Sequence, residues 1–166
     1  MFRIQAINLR WLENMDESED GCLHGDVRVD MGDETFTYEN ATVSASAFYL
    51  LRSLKRDHVM NRMGIQLVPC CGFDLYFWQG ELIIMGCPNG LDWSVLHENG
   101  HICLISPTEC KTVISLAEYR AAVFAYADEI EGFYRNAKEK VFRDEEDREV
   151  HAAFWTEWRM LRDADT

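Results

Sequence analysis

The sequence lacks the patterns that mark several large classes of protein. No stretch approaches 18 consecutive apolar residues, so we expect no segment that spans a membrane. It contains no glycine-rich phosphate loop, no dinucleotide-binding fingerprint and no G-x-S-x-G motif, and no two cysteines have C-x-x-C spacing. The opening "MFRIQAINLRW" has no basic segment leading into an apolar run, which predicts no signal peptide. Without a motif for any of these chemistries, we expect a non-enzymatic protein that needs no cofactor.

Basic residues are also scarce, which limits the classes of molecule that could bind the protein. The chain has 16 Lys and Arg against 29 Asp and Glu, a net charge of -13. Such a molecule repels the phosphates of nucleic acids and is attracted to basic protein surfaces, although net charge also serves solubility alone. The balance is -7 over residues 1–40, -1 over 41–115 and -5 over 116–166. If the two ends of the chain fold onto one side, the molecule has a negative face.

Length and apolar content indicate one globular domain. The chain has 166 residues, 48% of them hydrophobic, which suits a single domain over 1–166 with a full core. It has six cysteines, and in a chain without an export signal we expect them to be reduced thiols in the cytoplasm.

The clearest local pattern is a hairpin over residues 22–38 that turns at Gly32-Asp33. Pairing about this turn places Val29 opposite Phe36 on an apolar face and Asp30 opposite Thr35 on a polar face. Further strands are expected at 2–12, where a change of phase suggests a bulge or a sheet covered on both sides, at 71–87 with a Gln79-Gly80 turn, at 91–106 with an Asn99-Gly100 turn, and at 111–115.

Three helices are indicated by apolar residues at helical spacing. The first covers 44–58 with Ser44 as a candidate N-cap, the second starts at the capping box Ser115–Glu118 and runs to about 136, and the third covers 144–163. Trp155 lies beside the apolar stripe of the last helix and is assigned to core packing, with a partner contact as the alternative. Hairpins without β-α-β alternation predict an α+β fold, mainly an antiparallel sheet with one internal and two C-terminal helices packed on it.

The segment "HENGH" at 97–101 matches the H-E-x-x-H pattern of zinc hydrolases. In those enzymes the two histidines share one face of a helix, but here Asn99 and Gly100 favour a type I′ turn between strand-like flanks. In that hairpin Glu98 faces His101, and His97 and His101 point to opposite sides of the sheet. The segment is therefore interpreted as a hairpin tip.

A second possible metal site involves the cysteines of "PCCG" (69–72) and "GCPNG" (86–90). The Gln79-Gly80 turn would bring Cys70 diagonally close to Cys87, and His24 or His97 would complete a zinc site. The competing interpretation is that these are small buried thiols beside two turns. A metal-binding or hydrolytic domain built on these residues is the alternative function.

The acidic residues carry the main functional hypothesis, which is docking onto a basic protein. None of the acidic clusters follows the calcium-loop pattern, so the choice lies between a solvated surface and a partner-binding surface. The candidate partner-binding residues fall in one loop and two helical segments: Glu13, Asp16, Glu17, Glu19, Asp20, Asp128, Glu129, Glu131, Asp144 and Glu145.

The stretches "LVPCCGFDLYFWQGELIIMGCPNGLDWSVLHENG" (67–100) and "TVSASAFYLLRSL" (42–54) resemble segments of uncharacterised small bacterial proteins. In its size, its acidity and its lack of catalytic motifs, the chain is similar to immunity proteins, which neutralise a basic toxin or nuclease, and to acidic phage-type inhibitors. This resemblance implies a binding protein of immunity or inhibitor type. We expect it to be a monomer or a homodimer. A homodimeric structural domain without ligand chemistry is the remaining alternative.

Overall fold

The α+β prediction is confirmed in a computed structural model, which describes residues 1–60, 65–71, 74–86 and 89–163. In those ranges, antiparallel strands pair within several sheets and helices pack against them. The elements in chain order are β1 (Phe2–Arg10), β2 (His24–Met31), β3 (Glu34–Thr42), α1 (Val43–Ser53), β4 (Val68–Pro69), β5 (Asp74–Trp78), β6 (Glu81–Met85), β7 (Gly90–Leu91), β8 (Ser94–Glu98), β9 (His101–Ile105), β10 (Lys111–Ser115), α2 (Leu116–Arg135) and α3 (Glu145–Asp163).

The strands do not form one continuous sheet. Within the described ranges they divide into a three-stranded sheet β1-β2-β3, a three-stranded sheet β10-β9-β8, and the pairs β4-β7 and β5-β6. The short pair β4-β7 has only two residues in each strand, too few for a periodic signal in the sequence. The expected single sheet is therefore replaced by several smaller ones that surround the helices.

The first hairpin has the predicted register. Val29 pairs with Phe36 and Asp30 with Thr35, and Gly32 in the turn adopts the left-handed region with φ of 59°. Val29 is buried whereas Thr35 is exposed, so the alternation in the sequence fixes which face meets the core.

The change of phase in β1 is a bulge. The pairing with β2 shifts between Ile7 and Arg10, and Asn8 has a φ of 54°. The Asn8 side chain donates to a carboxylate oxygen of Asp26 at 2.8 Å, which holds this left-handed residue against the next strand. Asn tolerates that conformation better than most residues do, because its short polar side chain bonds locally.

The HENGH segment forms the tip of the β8–β9 hairpin, as predicted. Glu98 pairs with His101 and His97 with Ile102, and Asn99 and Gly100 both have positive φ, as a type I′ turn requires. The His97 ring lies 2.9 Å from a carboxylate oxygen of Asp57 and 3.3 Å from the carbonyl of Leu54. This places His97 against the end of α1, where it joins the hairpin to the helix.

The first helix differs from its prediction at both ends. It starts at Val43 with Thr42 as N-cap residue, and Ser44 is not the cap: its hydroxyl accepts from the backbone N–H of Leu23 at 3.1 Å. It ends at Ser53, and His58 instead forms a two-way backbone bridge with Val95 of β8. Every residue of α1 is buried, so the helix has no exposed face. Its ends are therefore determined by tertiary contacts and not by an amphipathic pattern.

The two C-terminal helices are where the sequence placed them. The Ser115 hydroxyl accepts from the Glu118 N–H at 3.1 Å, which confirms Ser115 as the N-cap of α2. The Glu118 carboxylate accepts from the backbone N–H of Phe2 at 3.3 Å, so the reciprocal bond of the predicted capping box is replaced by a contact with β1. In α3, Phe154 stacks on Phe48 of α1 at 4.7 Å between ring centroids. Trp155 is half-buried among Tyr134, Phe154 and Trp158, in agreement with core packing. The core thus has α1 at its centre, with α2 and α3 beside it.

Candidate functional site

Two acidic segments that are far apart in the sequence lie side by side in the structure. Residues 13–20 follow β1, and residues 136–149 connect α2 to α3 and include the first turn of α3. The backbone N–H of Val141 donates to the carbonyl of Ser18 at 2.9 Å, and the N–H of Lys138 donates to Glu17 Oε1 at 2.8 Å. We call these two segments the acidic end, since together they contain eleven carboxylates and four bases, a balance of -7.

Two lysines fasten the acidic end. Lys138 Nζ donates to Asp16 at 3.0 Å, and Lys140 Nζ donates to the carbonyl of Glu17 at 2.6 Å. The Lys140 ammonium also lies 3.4 Å from the centre of the Trp11 ring, a cation–π contact. Partial burial lowers the pKa of Lys140 from its usual value. These contacts, two of them made by the carboxylates of Asp16 and Glu17, set the position of the loop and offset the repulsion among its acids.

Asp20 does not belong to the exposed set that the sequence suggested. Its side chain is 1% exposed, and its two oxygens accept from the backbone N–H groups of Leu12 at 2.8 Å and Cys22 at 3.2 Å. His24 lies 3.6 Å from the same carboxylate. Asp20 therefore closes the loop from inside, and its placement on a docking surface was wrong.

The remaining loop carboxylates are on the surface, but they differ in their contacts with the rest of the protein. Glu13, Asp16 and Glu19 are exposed and Glu17 is half-buried. Hydrogen bonds from Ser18 and Lys138 hold the pKa of Asp16 well below its usual range, so it stays ionised. Among the described residues, Glu13 and Glu19 form no ion pair or hydrogen bond through their side chains, which leaves both carboxylates open to a partner.

The start of α3 adds acidic residues to the same end of the molecule. Asp144 caps the helix by accepting from the N–H of Asp147 at 2.9 Å, and Glu145 lies 3.4 Å from Arg148. Glu146 and Glu149 are exposed and form no ion pair within the described ranges. An acidic first turn is also stabilised by the helix dipole, so these residues serve the fold whether or not a partner binds.

The three candidate acids on α2 lie elsewhere. Both oxygens of Asp128 accept from Arg162 at 2.8 Å, and Glu131 accepts from Arg135 at 2.8 Å. Arg162 is 17 residues beyond Glu145 in α3, about 25 Å along a helix with a rise of 1.5 Å per residue. Glu129 is exposed, and partial burial of its carboxyl group raises its pKa. The structure therefore separates Asp128 from the first turn of α3, and the Glu131 carboxylate is occupied by Arg135 and by the indole N–H of Trp158.

Apolar side chains are present on the acidic end as well. Met15 is 42% exposed and Val141 is 64% exposed, and both lie in the two segments that are joined through Ser18. Apolar residues surrounded by charge are typical of the centre of a protein interface, where burial supplies binding energy and charge supplies orientation. These two residues could not be predicted from the sequence, because neither belongs to a periodic pattern.

The metal hypothesis gains no support from the residues that are described. Cys70 is part of a disulfide, so its sulfur is not a thiolate ligand, and Cys87 lies outside the described ranges. No group of three His, Cys, Asp or Glu side chains in those ranges is placed to hold a metal ion. The disulfide also corrects the expectation of six thiols, which holds for Cys22, Cys71, Cys103 and Cys110.

No protein-family model, curated protein or solved structure matches the chain. Of the helices described, none combines the length and apolar character needed to cross a bilayer. The geometry of the acidic end is therefore the basis for assigning a function.

Proposed function

We propose that the protein is a non-enzymatic binding domain of immunity or inhibitor type, and that its acidic end docks on a basic protein. The observation that carries this proposal is the joining of residues 13–20 to 136–149 by Lys138, Lys140 and Val141. These contacts concentrate a balance of -7, more than half of the net charge, in one place. Such a field accelerates encounter with a basic partner and rejects acidic ones.

The contact surface would combine carboxylates with an apolar centre. Glu13 and Glu19 supply carboxylates without intramolecular ion pairs among the described residues, and Met15 and Val141 supply apolar area. Lys138 holds Asp16 and Glu17 in fixed positions, so both carboxylates are ordered before a partner binds. Preorganised charges cost less entropy on binding than mobile ones do.

Two variants with equal net charge test this assignment. The first neutralises the acidic end with Glu13→Gln, Glu19→Gln, Glu139→Gln and Glu146→Gln. The matched control neutralises four exposed carboxylates elsewhere, with Asp33→Asn, Glu39→Gln, Glu98→Gln and Glu109→Gln. All eight side chains are exposed and form no ion pair in the described part of the chain, so both variants should fold.

The native chain and both variants are immobilised and exposed to an extract of the source organism, and bound proteins are identified by mass spectrometry. We expect a basic protein that the native chain and the control retain and the acidic-end variant loses. Four exposed charge contacts correspond to a loss of affinity of roughly 30-fold. Retention of the same proteins by both variants, or of no basic protein by the native chain, contradicts the proposal.

We further propose that the protein acts in the cytoplasm. The thiols of Cys22, Cys71, Cys103 and Cys110 support a reducing compartment, since exported proteins usually pair their cysteines. The disulfide at Cys70 is the observation against it. Fractionation of native cells, combined with alkylation of thiols before lysis, tests this: the protein in the soluble cytoplasmic fraction with reduced Cys70 supports the proposal, and its recovery outside that fraction contradicts it.

A further inference from the structure

A cleft on another part of the molecule contains two arginines. It lies between the end of α1, the β5–β6 hairpin and α3, and consists of two adjoining cavities of about 180 Å³ and 330 Å³. Both cavities are lined by Arg52, Arg56 and Glu81, and Lys55 lines the larger one. The larger cavity is within the size range of small-molecule sites.

Arg52 is a buried and oriented cation in this cleft. Its side chain is 9% exposed, and Nε and Nη2 donate to the two oxygens of Glu157 at 2.6 Å and 2.8 Å. Nη2 also donates to the carbonyl of Leu82 at 2.8 Å, and the guanidinium lies 4.3 Å from the Phe48 ring centre. The remaining terminal nitrogen, Nη1, has no acceptor among the described residues. A fixed guanidinium with an unused donor is suited to a bound anion.

Arg56 supplies the second donor group. Its side chain is 57% exposed, and its nearest carboxylate, Glu81, lies 3.9 Å away, at the limit of an ion pair. An exposed pair at that distance contributes little, so Arg56 can turn to an anion at small cost. Two acids, Glu81 and Glu157, also line the larger cavity, and Asp57 lines the smaller one. A ligand with one negative charge therefore meets less repulsion here than a ligand with two.

The rest of the larger cavity is apolar. Phe77 of β5 forms one wall, and Leu82, Ala153 and Leu161 line the remainder. Phe77 is 51% exposed, a high value for an aromatic residue that no other part of the described chain covers. A ligand with a flat apolar body would cover it while its charged group meets the arginines.

We propose that this cleft binds a small monocarboxylate with an aromatic or apolar body, its carboxylate between Nη1 of Arg52 and the Arg56 guanidinium. The site is separate from the acidic end and shares none of its residues. A phosphate monoester fits less well, because its second negative charge would face Glu81 and Glu157.

The proposal is tested with phenylacetate, its neutral isostere phenylacetamide, and phenyl phosphate, each followed by saturation-transfer NMR and by amide shifts of the full chain. A ligand this small is expected to bind with a dissociation constant of about 1 mM. We expect phenylacetate to shift amides of α1 and β5–β6, and the other two probes to bind at least about fivefold more weakly, since each lacks the matching single charge.

Arg56→Gln removes one donor at an exposed position, and Arg159→Gln is the control, an exposed arginine of α3 that lines neither cavity. We expect Arg56→Gln to weaken phenylacetate binding by about tenfold, the value of one charge-assisted contact, and the control to leave it unchanged. Absence of binding at about 20 mM, equal affinity for phenylacetamide or phenyl phosphate, or equal binding by Arg56→Gln would each overturn the proposal.

Discussion

Replacement of Glu157 by Gln tests how α3 is held against α1. The substitution keeps the shape of the side chain but removes the negative charge that accepts from Arg52 at 2.6 Å and 2.8 Å. Arg52 is 9% exposed, so its guanidinium stays buried in the variant. It keeps its bond to the neutral carbonyl of Leu82, and its bond to the uncharged side chain at position 157 is weaker. Breaking a fully buried pair costs about 3–5 kcal/mol. The Glu157 side chain is 33% exposed, so water recovers part of this loss, and we expect a decrease of about 2 kcal/mol in the free energy of unfolding.

Urea denaturation followed by tryptophan fluorescence measures this change, and the denaturant slope should stay constant because the fold is the same. The control is Glu149→Gln, which removes an exposed carboxylate of the same helix and should change stability by less than about 0.5 kcal/mol. The double change Arg52→Met with Glu157→Leu should recover most of the loss, since an apolar pair leaves no buried charge. Equal stability of Glu157→Gln and Glu149→Gln would refute this account of the pair.

Three further predictions concern a cap, a loop and the effect of pH. Ser115→Ala removes the hydroxyl that caps α2 and should lower the free energy of unfolding by about 1 kcal/mol, whereas Ser115→Asp, measured by the same urea titration, should not. Asp20→Asn leaves one of two backbone donors without an acceptor and should cost about 1–3 kcal/mol; stability equal to the native chain would mean that Asp20 does not close the loop. Burial lowers the pKa of both His24 and His151 from 6.5, so the unfolded chain takes up protons first as the pH falls. Stability should therefore decline from pH 7.5 to pH 5.5, and less so in His151→Gln; urea midpoints that are flat over this range would contradict it.

The hairpins could be predicted because residues close together in the sequence determine their turns and their register. Two-residue turns with Gly, together with alternating apolar residues, specify register, and Val29–Phe36 and Glu98–His101 pair as the sequence predicts. The same holds for α2, whose start is set by Ser115 within one turn.

Features that depend on distant parts of the chain were not predictable in this way. The chain leaves α1 after Ser53 and pairs at His58 with Val95 of β8, and the Ser44 hydroxyl accepts from the Leu23 N–H instead of capping its own helix. In the sequence Asp20 is one of several acidic residues in a polar loop. Its role as a buried acceptor depends on the backbone N–H of Leu12, which the fold brings to it.

In the candidate sites, too, the sequence indicates some features, whereas others depend on contacts between distant parts of the chain. The sequence identified the carboxylates of the acidic end by composition, but contacts of Lys138 and Lys140 with the loop, more than 120 residues away in sequence, determine which of them share a surface. The Arg52 cleft gave no signal in the sequence, because its walls come from α1, from the β5–β6 hairpin and from α3. Such sites become visible only once the fold has brought the segments together.

The acidic end is proposed to be the surface that binds a basic protein. Titration of a purified partner into the native chain, the acidic-end variant and the charge-matched control, each at low and high salt, tests this proposal. We expect the native chain and the control to bind alike and to weaken together as salt rises, and the acidic-end variant to bind roughly 30-fold more weakly and to depend less on salt. Equal affinity and equal salt dependence in the two variants would show that total charge, and not the acidic end, attracts the partner.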